Sequence, residues 1–399
     1  MIIKTRIEAL DHQGRGLTHH DGKVVFVPNA LPGELVEIKI IDDKKNYAVA
    51  KVVKYLEKVS ERVEPNCPYY AKCGGCHLSH FSSESQINYK KETLTNVIKK
   101  YAEIEIEAEV ITGQKDYGYR NKITLKIENY VWGYYALGAH KLVKINECLI
   151  AKGAINKILE QRALFKIKNG EIVIRVNYND EIMISITTKD EVHIETESLT
   201  KNSKIVGIIV NDKIYYGEDN FMEIINKIIY QVNYQAFFQV NSAILEKVFE
   251  LLNNKRYGHV LDLYCGVGTL GLAVKKEKLY GIEISASAIK NALFNSKMNK
   301  QNNLYILGDS AKIKELDAKI DTVIIDPPRG GIDKTTIDHL MAMKAEEIIY
   351  MSCNPLTLAR DLNILKTQYQ LEKVYLLDMF PQTYHMETLV ILANKTKNY

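Results

Sequence analysis

The sequence predicts an α/β protein whose C-terminal half is a Rossmann-like, doubly wound sheet, preceded by a small β-barrel and a β-rich middle. Three observations carry this. From Val260 onward, short apolar runs alternate with helical patterns. A glycine turn, Cys265-Gly266-Val267-Gly268, directly follows the first of those runs. Residues 1–58 alternate apolar and polar positions in short stretches broken by Gly, Pro and Asn-rich turns.

At 399 residues the chain exceeds one ordinary domain, and the pattern divides it at 58 and 232. The first part, 1–58, holds strand-like runs at Val24–Val27, Leu35–Ile40 and Tyr47–Val53. Its basic and acidic residues nearly cancel, so charge alone does not distinguish a solvated surface from an RNA footprint. The second part, 59–232, opens with a cysteine cluster, continues into a helix over 84–101 with apolar spacing at Ile87, Leu94, Val97 and Ile98, and then reads as strands with one helix near 155–165. The third, 233–399, carries strands at Val260–Tyr264, Leu279–Ile284, Leu304–Leu307, Thr322–Asp326, Glu347–Ser352, Val374–Met379 and Thr388–Ala393. The last two are too close for a helical crossover, so the final strand is expected to run antiparallel.

Composition removes several classes. With 46% hydrophobic and 26% charged residues the chain is neither disordered nor fibrous, and no apolar run approaches the roughly 20 residues of a membrane helix. The opening Met1-Ile2-Ile3-Lys4-Thr5-Arg6 lacks a signal-peptide core, which predicts a cytoplasmic protein and makes disulfides unexpected. The net charge of +4 is modest, but residues 112–146 hold Lys115, Arg120, Lys122, Lys126, Lys141 and Lys144 against only Asp116 and Glu128. Arg120, Lys122 and Lys126 are expected to meet phosphates there.

The glycine turn after Leu261-Asp262-Leu263-Tyr264 lets backbone approach a ligand. On its own it fits a dinucleotide as well as S-adenosylmethionine. Glu283, at the end of the next strand, stands where ribose hydroxyls of either would be held. Asp309 follows the third strand, the usual place for a contact to adenine, and Asp326-Pro327-Pro328-Arg329 follows the fourth. A D-P-P there also resembles amino-methyltransferases of adenine and cytosine. Those place a stacking aromatic next, where this chain has Arg329.

Met351-Ser352-Cys353-Asn354-Pro355 ends the fifth strand and puts one thiol at the rim of the crevice. Uracil C5 is a poor nucleophile; thiolate addition at C6 makes C5 an enolate carbon able to attack a methyl group. A base must then remove the C5 proton, and Glu387 stands just before the last strand. Taken singly, Cys353 reads as a buried thiol and Glu387 as a surface charge. Together they fit nucleophile and base. Cytosine-C5 enzymes use a second cysteine, and the only other one in this half, Cys265, reads as a packed residue.

Phe238-Gln239-Val240-Asn241, D-L-Y-C-G-V-G-T, D-P-P-R-G-G, S-C-N-P and the terminal P-Q-T-Y-H-M-E together resemble the RNA 5-methyluridine methyltransferase family, in order along residues 1–393. The resemblance implies a seven-stranded S-adenosylmethionine-dependent methyltransferase domain, with Gln239, Tyr264, Thr269, Glu283, Asp309 and Asp326 lining the cofactor pocket, Cys353 as nucleophile and Glu387 as base. Some relatives carry Asn at the Thr269 position, and His385 is left without a role. Gly14-Arg15-Gly16-Leu17 followed by Phe26-Val27-Pro28-Asn29-Ala30-Leu31-Pro32-Gly33-Glu34 resembles the TRAM-type RNA-binding barrel, OB-like in shape.

Cys67-x5-Cys73-x2-Cys76 with Cys148 resembles the iron–sulfur subset of that family, which acts on 23S ribosomal RNA. Four thiolates suit a [4Fe–4S] cluster or a tetrahedral zinc. Gly74-Gly75 allows amides to turn toward cluster sulfurs, and the absence of a second C-x2-C knuckle speaks against zinc. The expected partner is RNA, ribosomal before transfer RNA, with no membrane and no obligate protein partner. The rivals are a methyltransferase for another nucleobase and a non-catalytic iron–sulfur RNA-binding protein.

Overall fold

The computed structural model describes residues 2–113 and 115–397. Two compact units emerge from the chain's contacts. One comprises residues up to Thr93, Gly133–Ile145 and Phe380–His385; the other comprises Leu94–Trp132, Asn146–Met379 and the chain from Met386.

In the first unit the strands β1 (Ile3–Arg6), β2 (Ala9–Leu10), β3 (Gly16–His20), β4 (Lys23–Val27), β5 (Leu35–Asp43) and β6 (Tyr47–Glu57) form one six-stranded sheet in the order β1-β5-β6-β4-β3-β2. Alternation along the strands sends Val25, Val27, Val36, Ile38, Ala48 and Ala50 inward to a common core. The turn between β4 and β5 is held by Glu34, fully buried, whose Oε2 accepts from Leu31 N–H at 2.8 Å and from Arg62 Nη2 at 2.7 Å. Arg62 also donates to Asn29 O at 2.8 Å. A single buried ion pair with backbone bonds thus fixes the Pro-Asn-Ala-Leu-Pro-Gly-Glu turn.

The helix expected over 84–101 is α1 (Ser83–Ala102), and β7 (Glu109–Ile111) follows it. Next come β8 (Lys122–Glu128), the hairpin β9 (Val131–Tyr135) and β10 (Leu142–Lys144), and α2 (Gly153–Glu160), shorter than expected because a 3-10 turn, Arg162–Leu164, replaces its last part. Then follow β11 (Phe165–Lys166), β12 (Gly170–Val176), β13 (Ile182–Thr187), β14 (His193–Ile194), α3 (Thr196–Asn202), β15 (Ile205–Val210) and β16 (Lys213–Gly217). In the second unit β8, β12, β13, β15 and β16 are neighbours in that order, antiparallel except for β13 with β15.

The hairpin β17 (Asn220–Ile225) and β18 (Ile228–Asn233) leads through α4 (Ser242–Leu252) into the open sheet: β19 (Tyr257–Leu263), α5 (Thr269–Ala273), β20 (Lys276–Glu283), α6 (Ala286–Met298), β21 (Leu304–Leu307), β22 (Thr322–Ile325), α7 (Lys334–Met343), β23 (Glu347–Ser352), α8 (Pro355–Leu365), β24 (Tyr369–Leu377) and β25 (Glu387–Asn394). All seven expected strands are present, and β25 runs antiparallel to both neighbours. The sheet departs from expectation at one edge. Its order is β21-β20-β19-β22-β23-β25-β24-β7, with β7 parallel to β24 through Tyr375↔Glu109, Leu376↔Val110 and Leu377↔Ile111. Three residues are too few for alternation to announce a strand.

β18 is bordered by a helix that does a strand's work. Asn299, Asn295 and Asn291 lie one turn apart on or just past α6. Asn299 accepts from Ile229 N–H at 3.0 Å and donates to Ile229 O at 2.7 Å. Asn295 does the same for Gln231 at 2.6 and 3.1 Å, and Asn291 accepts from Asn233 N–H at 2.9 Å. Four helical residues rise about 6 Å and two strand residues about 6.7 Å, so the two repeats stay in step for three rungs.

Candidate active site

The buried strand β19 delivers the glycine turn. Tyr264 has φ of 59°, Gly266 of 54° and Gly268 of 85°; a tyrosine in the left-handed region is strained backbone of the kind found at ligand sites. Asp262, one residue inside the strand, accepts from Gly271 N–H at 2.9 Å. A Cβ on Gly271 would come within 2.6 Å of that same oxygen, so the position needs glycine. Burial pushes the Asp262 carboxyl up to about 7. It braces the turn from within.

Glu283, at the end of β20, binds the turn from the other side. Its Oε2 accepts from Gly266 N–H at 3.0 Å and its Oε1 from Ser285 N–H at 2.8 Å. Asp309 caps the short helix Ser310–Glu315 through Ala311 N–H at 3.0 Å.

Two adjoining hollows share Tyr264. Gln239, Thr269 and Asp326 line one, with Phe237 and Gly266; Glu283 and Asp309 line the other, with Ile284 and Ser310. The six residues expected around a cofactor therefore line two hollows that share Tyr264, near the carboxyl ends of the strands, where open α/β sheets take ligands. Two exposed apolar side chains there were missed from the sequence: Phe237, 65% exposed, and Ile284, 74% exposed. Each is a large hydrophobe left in water beside polar ligand-type groups, a signal that only burial reveals.

Three adjacent strand ends build the rim. β22 runs into Asp326, β23 into Cys353, and β25 begins at Glu387. Ser352 pairs with Thr388 across β23 and β25, so the next positions outward, Cys353 and Glu387, meet at the sheet's end. Glu387 is 3% exposed. Burial, then the nearby Asp326 carboxylate, raises its pKa well above the usual carboxyl range, with Arg329 opposing. Asp326 is pushed up to about 7 by burial, opposed by Gln239, whose Nε2 donates to its Oδ2 at 3.4 Å. Burial, with Glu387 and Asp326 adding, pushes the half-buried Cys353 thiol up to about 11, and Arg329 opposes. The rim thus sets a thiol beside two carboxyl groups whose ionised forms burial disfavours, with the Arg329 guanidinium as countercharge. Arg329 thus has a second meaning beyond displacing an aromatic, and sequence reading missed it. Cys265 is the packed residue expected, 5% exposed, its thiol raised by burial.

Gln239 is held in place by its neighbours. Asn121 donates to Gln239 O at 3.1 Å through its side chain and to Val240 O at 2.9 Å through its amide, while Asn241 reaches Met379 O at 3.3 Å. His385 belongs to the other unit. There its ring lies 4.2 Å from Tyr384, which lies 4.6 Å from His77, and burial pushes His77 down to about 4. The three rings pack against one another.

Cys67, Cys73 and Cys76 lie in the first unit and Cys148 in the second, all half-buried and free of disulfides. Gly75 N–H points at Cys73 Sγ, 3.4 Å away, and Gly74 N–H at Tyr135 O, 3.0 Å away. Among the described residues no group of three His, Cys, Asp or Glu side chains is assembled that could hold a metal ion. Of the basic stretch, Lys126 is ion-paired to Glu171, and Arg120 Nε donates to Lys122 O at 2.9 Å. No helix among the described residues is long and apolar enough to cross a membrane.

Comparison with known proteins matches these features. Residues 82–318 and 310–395 match the model of the tRNA (uracil-5-)-methyltransferase family, and residues 3–53 that of the TRAM domain. An uncharacterized RNA methyltransferase of Aquifex aeolicus is 34% identical, covering 98% of this chain and 99% of the relative; one of Clostridium tetani is 32% identical over 97% and 95%. The crystal structure of Pyrococcus abyssi tRNA (uracil-54, C5)-methyltransferase with S-adenosyl-L-homocysteine superposes with a TM-score of 0.79 at 25% identity, covering 98% of this chain and all of that one. The chain belongs to the tRNA (uracil-5-)-methyltransferase family, with a TRAM domain at its N-terminal end, and is an S-adenosylmethionine-dependent RNA (uracil-5-)-methyltransferase.

Proposed function

We propose that the chain methylates C5 of a uridine in large-subunit ribosomal RNA, with Cys353 as nucleophile and Glu387 as base. The observation that carries the mechanism is the meeting of Cys353 and Glu387 at adjoining strand ends beside the two hollows lined by Gln239, Tyr264, Thr269, Glu283, Asp309 and Asp326. In this reading Glu283 takes the ribose hydroxyls, Asp309 the adenine amine and Ile284 an adenine face, leaving the methyl end toward Asp326.

The thiol gives up its proton as sulfur bonds to C6; Asp326 in its ionised form is the acceptor, which leaves the Glu387 carboxylate free to take the C5 proton later. Arg329 stabilises the thiolate. The C5 enolate then takes the methyl group from sulfonium sulfur, Glu387 removes the C5 proton, and the thiolate leaves, restoring the C5–C6 double bond. Water reaches Glu387 poorly, which keeps the proton transfer local.

The choice of ribosomal RNA rests on the C-x5-C-x2-C spacing with Cys148, which we read as the ligand set of a [4Fe–4S] cluster. The Gly75 amide directed at Cys73 sulfur supports that reading. No step of methyl transfer is assigned to the cluster. Transfer RNA is the second reading, favoured by the Pyrococcus relative's own substrate.

Mass-spectrometric mapping of 5-methyluridine in ribosomal and transfer RNA from cells with and without the gene separates the two. Loss from 23S RNA is expected; loss from transfer RNA alone would overturn the choice. Protein prepared without oxygen should hold iron and sulfide, and equimolar zinc without sulfide would overturn the cluster.

A further inference from the structure

Strands β8 and β12 face each other antiparallel, and alternation puts Lys122, Thr124 and Lys126 on one face of β8 opposite Arg175, Val173 and Glu171 of β12. At one end of this ladder Lys126 sits across from Glu171 and pairs with it. At the other end Lys122 sits directly across from Arg175. Like charges in directly opposed positions destabilise a sheet, and here they are also covered: Arg175 is 5% exposed.

No ion pair compensates them among the described residues, and Arg175 Nε, buried, has no hydrogen-bond partner. Burial and the neighbouring guanidiniums of Arg175 and Arg120 push Lys122 down to about 8; burial alone pushes Arg175 down to about 10. A carboxyl is near, yet engaged elsewhere. Glu223 shares the wall, but its Oε1 accepts from Tyr178 N–H at 3.0 Å and Ile224 N–H at 3.2 Å, and burial pushes it up to about 7, toward the neutral form.

The space between the two cations is a cavity of about 10 Å³, walled by Asn121, Phe221 and Phe238 as well. That is room for one water-sized group, so it admits a single oxygen and excludes a nucleobase. Its position is informative. Phe238 forms this cavity's wall, and the next residue, Gln239, reaches Asp326 in the reaction site. Asn121 binds this segment from the cation side, and its own carbonyl accepts from Val176 N–H at 2.8 Å.

We propose that the Lys122–Arg175 gap is an anion site that seats a phosphate oxygen of the substrate RNA backbone, next to the nucleotide being methylated. The inference rests on the reading of RNA as substrate. A bound phosphate supplies the missing acceptor for Arg175 Nε, removes the cross-strand repulsion, and couples backbone seating to the placement of Gln239 through one peptide unit.

The test uses full-length protein and a fluorescein-labelled oligouridylate. Arg175→Gln and Lys122→Gln should each weaken binding about tenfold near physiological salt and reduce the slope of log affinity against log salt by about 0.7, one counterion's share on a single strand. The melting temperature should hold or rise, because a repulsive pair has been relieved. A variant slope equal to wild type overturns the site, whether or not stability falls. An equal drop with Lys126→Gln also overturns it, since the effect would then be one of general charge.

Inorganic phosphate distinguishes the source. Phosphate that raises the wild-type melting temperature but not that of Arg175→Gln, with unchanged oligouridylate slopes, would assign the gap to a free anion and overturn the RNA proposal. If Arg175→Gln does not fold, Lys122→Gln, on the more open side, gives the same reading. Slope changes with methylation found on another base would sink the uridine reading alone; uridine methylation with unchanged slopes would sink the anion site alone.

Discussion

The asparagine ladder on β18 and the rim formed by Asp326, Cys353 and Glu387 both bury polar groups, and they treat them in opposite ways. In the ladder each amide has its partner: Asn295 is fully buried and binds Gln231 N–H, Gln231 O and Val267 O. At the rim Glu387 is buried and Asp326 half-buried beside it, and neither forms an ion pair among the described residues. Paired burial specifies a unique packing. Unpaired burial costs free energy and persists where a substrate or a proton completes it, which is how perturbed acidities come to mark functional sites. The gap between Lys122 and Arg175 belongs with the rim.

The sharpest way to break the comparison is at the thiol. Cys353→Ala should lower methyl transfer by about 10⁴-fold or more, since C5 then has no route to enolate character. RNA and S-adenosylmethionine should still bind, and no denaturation-resistant RNA adduct should form. An adduct in this variant would mean another thiol is the nucleophile.

Glu387→Gln removes the other half of the rim and should fail later. Addition and methylation proceed, but the C5 proton stays, so turnover falls by about 10²–10⁴-fold and a covalent protein–RNA complex accumulates. Normal turnover in this variant would move the base to Asp326.

Asp326 tests whether the rim is protonated at rest. Its carboxyl is raised from 3.8 to about 7, so between those values the folded protein keeps a proton that the unfolded chain has released. Stability contributed by this group therefore falls as pH rises through that window and levels off above it. Asp326→Asn should remove up to one proton's share of the slope, about 1.4 kcal/mol per pH unit at most. Denaturation midpoints across pH 4 to 8 that run parallel for variant and wild type would show an ionised Asp326.

Legibility followed the same division. The seven strands and the glycine turn were readable because they follow from hydrophobic runs, and Tyr264, Glu283, Asp309 and Asp326 sit at or just past strand ends, whereas Gln239 and Thr269 came only from the family resemblance. What escaped depends on facing partners. Counting charge over 112–146 included Lys126, whose charge is matched by Glu171, and omitted Arg175, which lies far along the chain but directly across from Lys122. Asn291, Asn295 and Asn299 are weak helix formers that drew no notice in the sequence, yet Asn291 and Asn295 are buried. Phe237 and Ile284 are large hydrophobes left exposed, which a sequence does not display. The Cys67, Cys73, Cys76 and Cys148 spacing was readable as a motif, but spacing in sequence does not itself bring four sulfurs together.

The ladder supplies the smallest effect and the control for the rest. Asn295→Ala strands the N–H and carbonyl of Gln231 and the carbonyl of Val267, and a buried unpaired backbone group costs about 1–3 kcal/mol. Relaxation and partial water access reduce the sum, so a loss of about 3 kcal/mol in chemical denaturation is expected. Asn291→Ala should cost less, because only one backbone partner, Asn233 N–H, is lost, and its other bonds are to the side chains of Asn220 and Gln231. Both variants should keep the methylated product and the adduct chemistry once folded, since neither side chain faces the rim. A ladder variant that folds with undiminished stability but loses methylation would break the comparison, because a fully paired group would then be acting in the reaction.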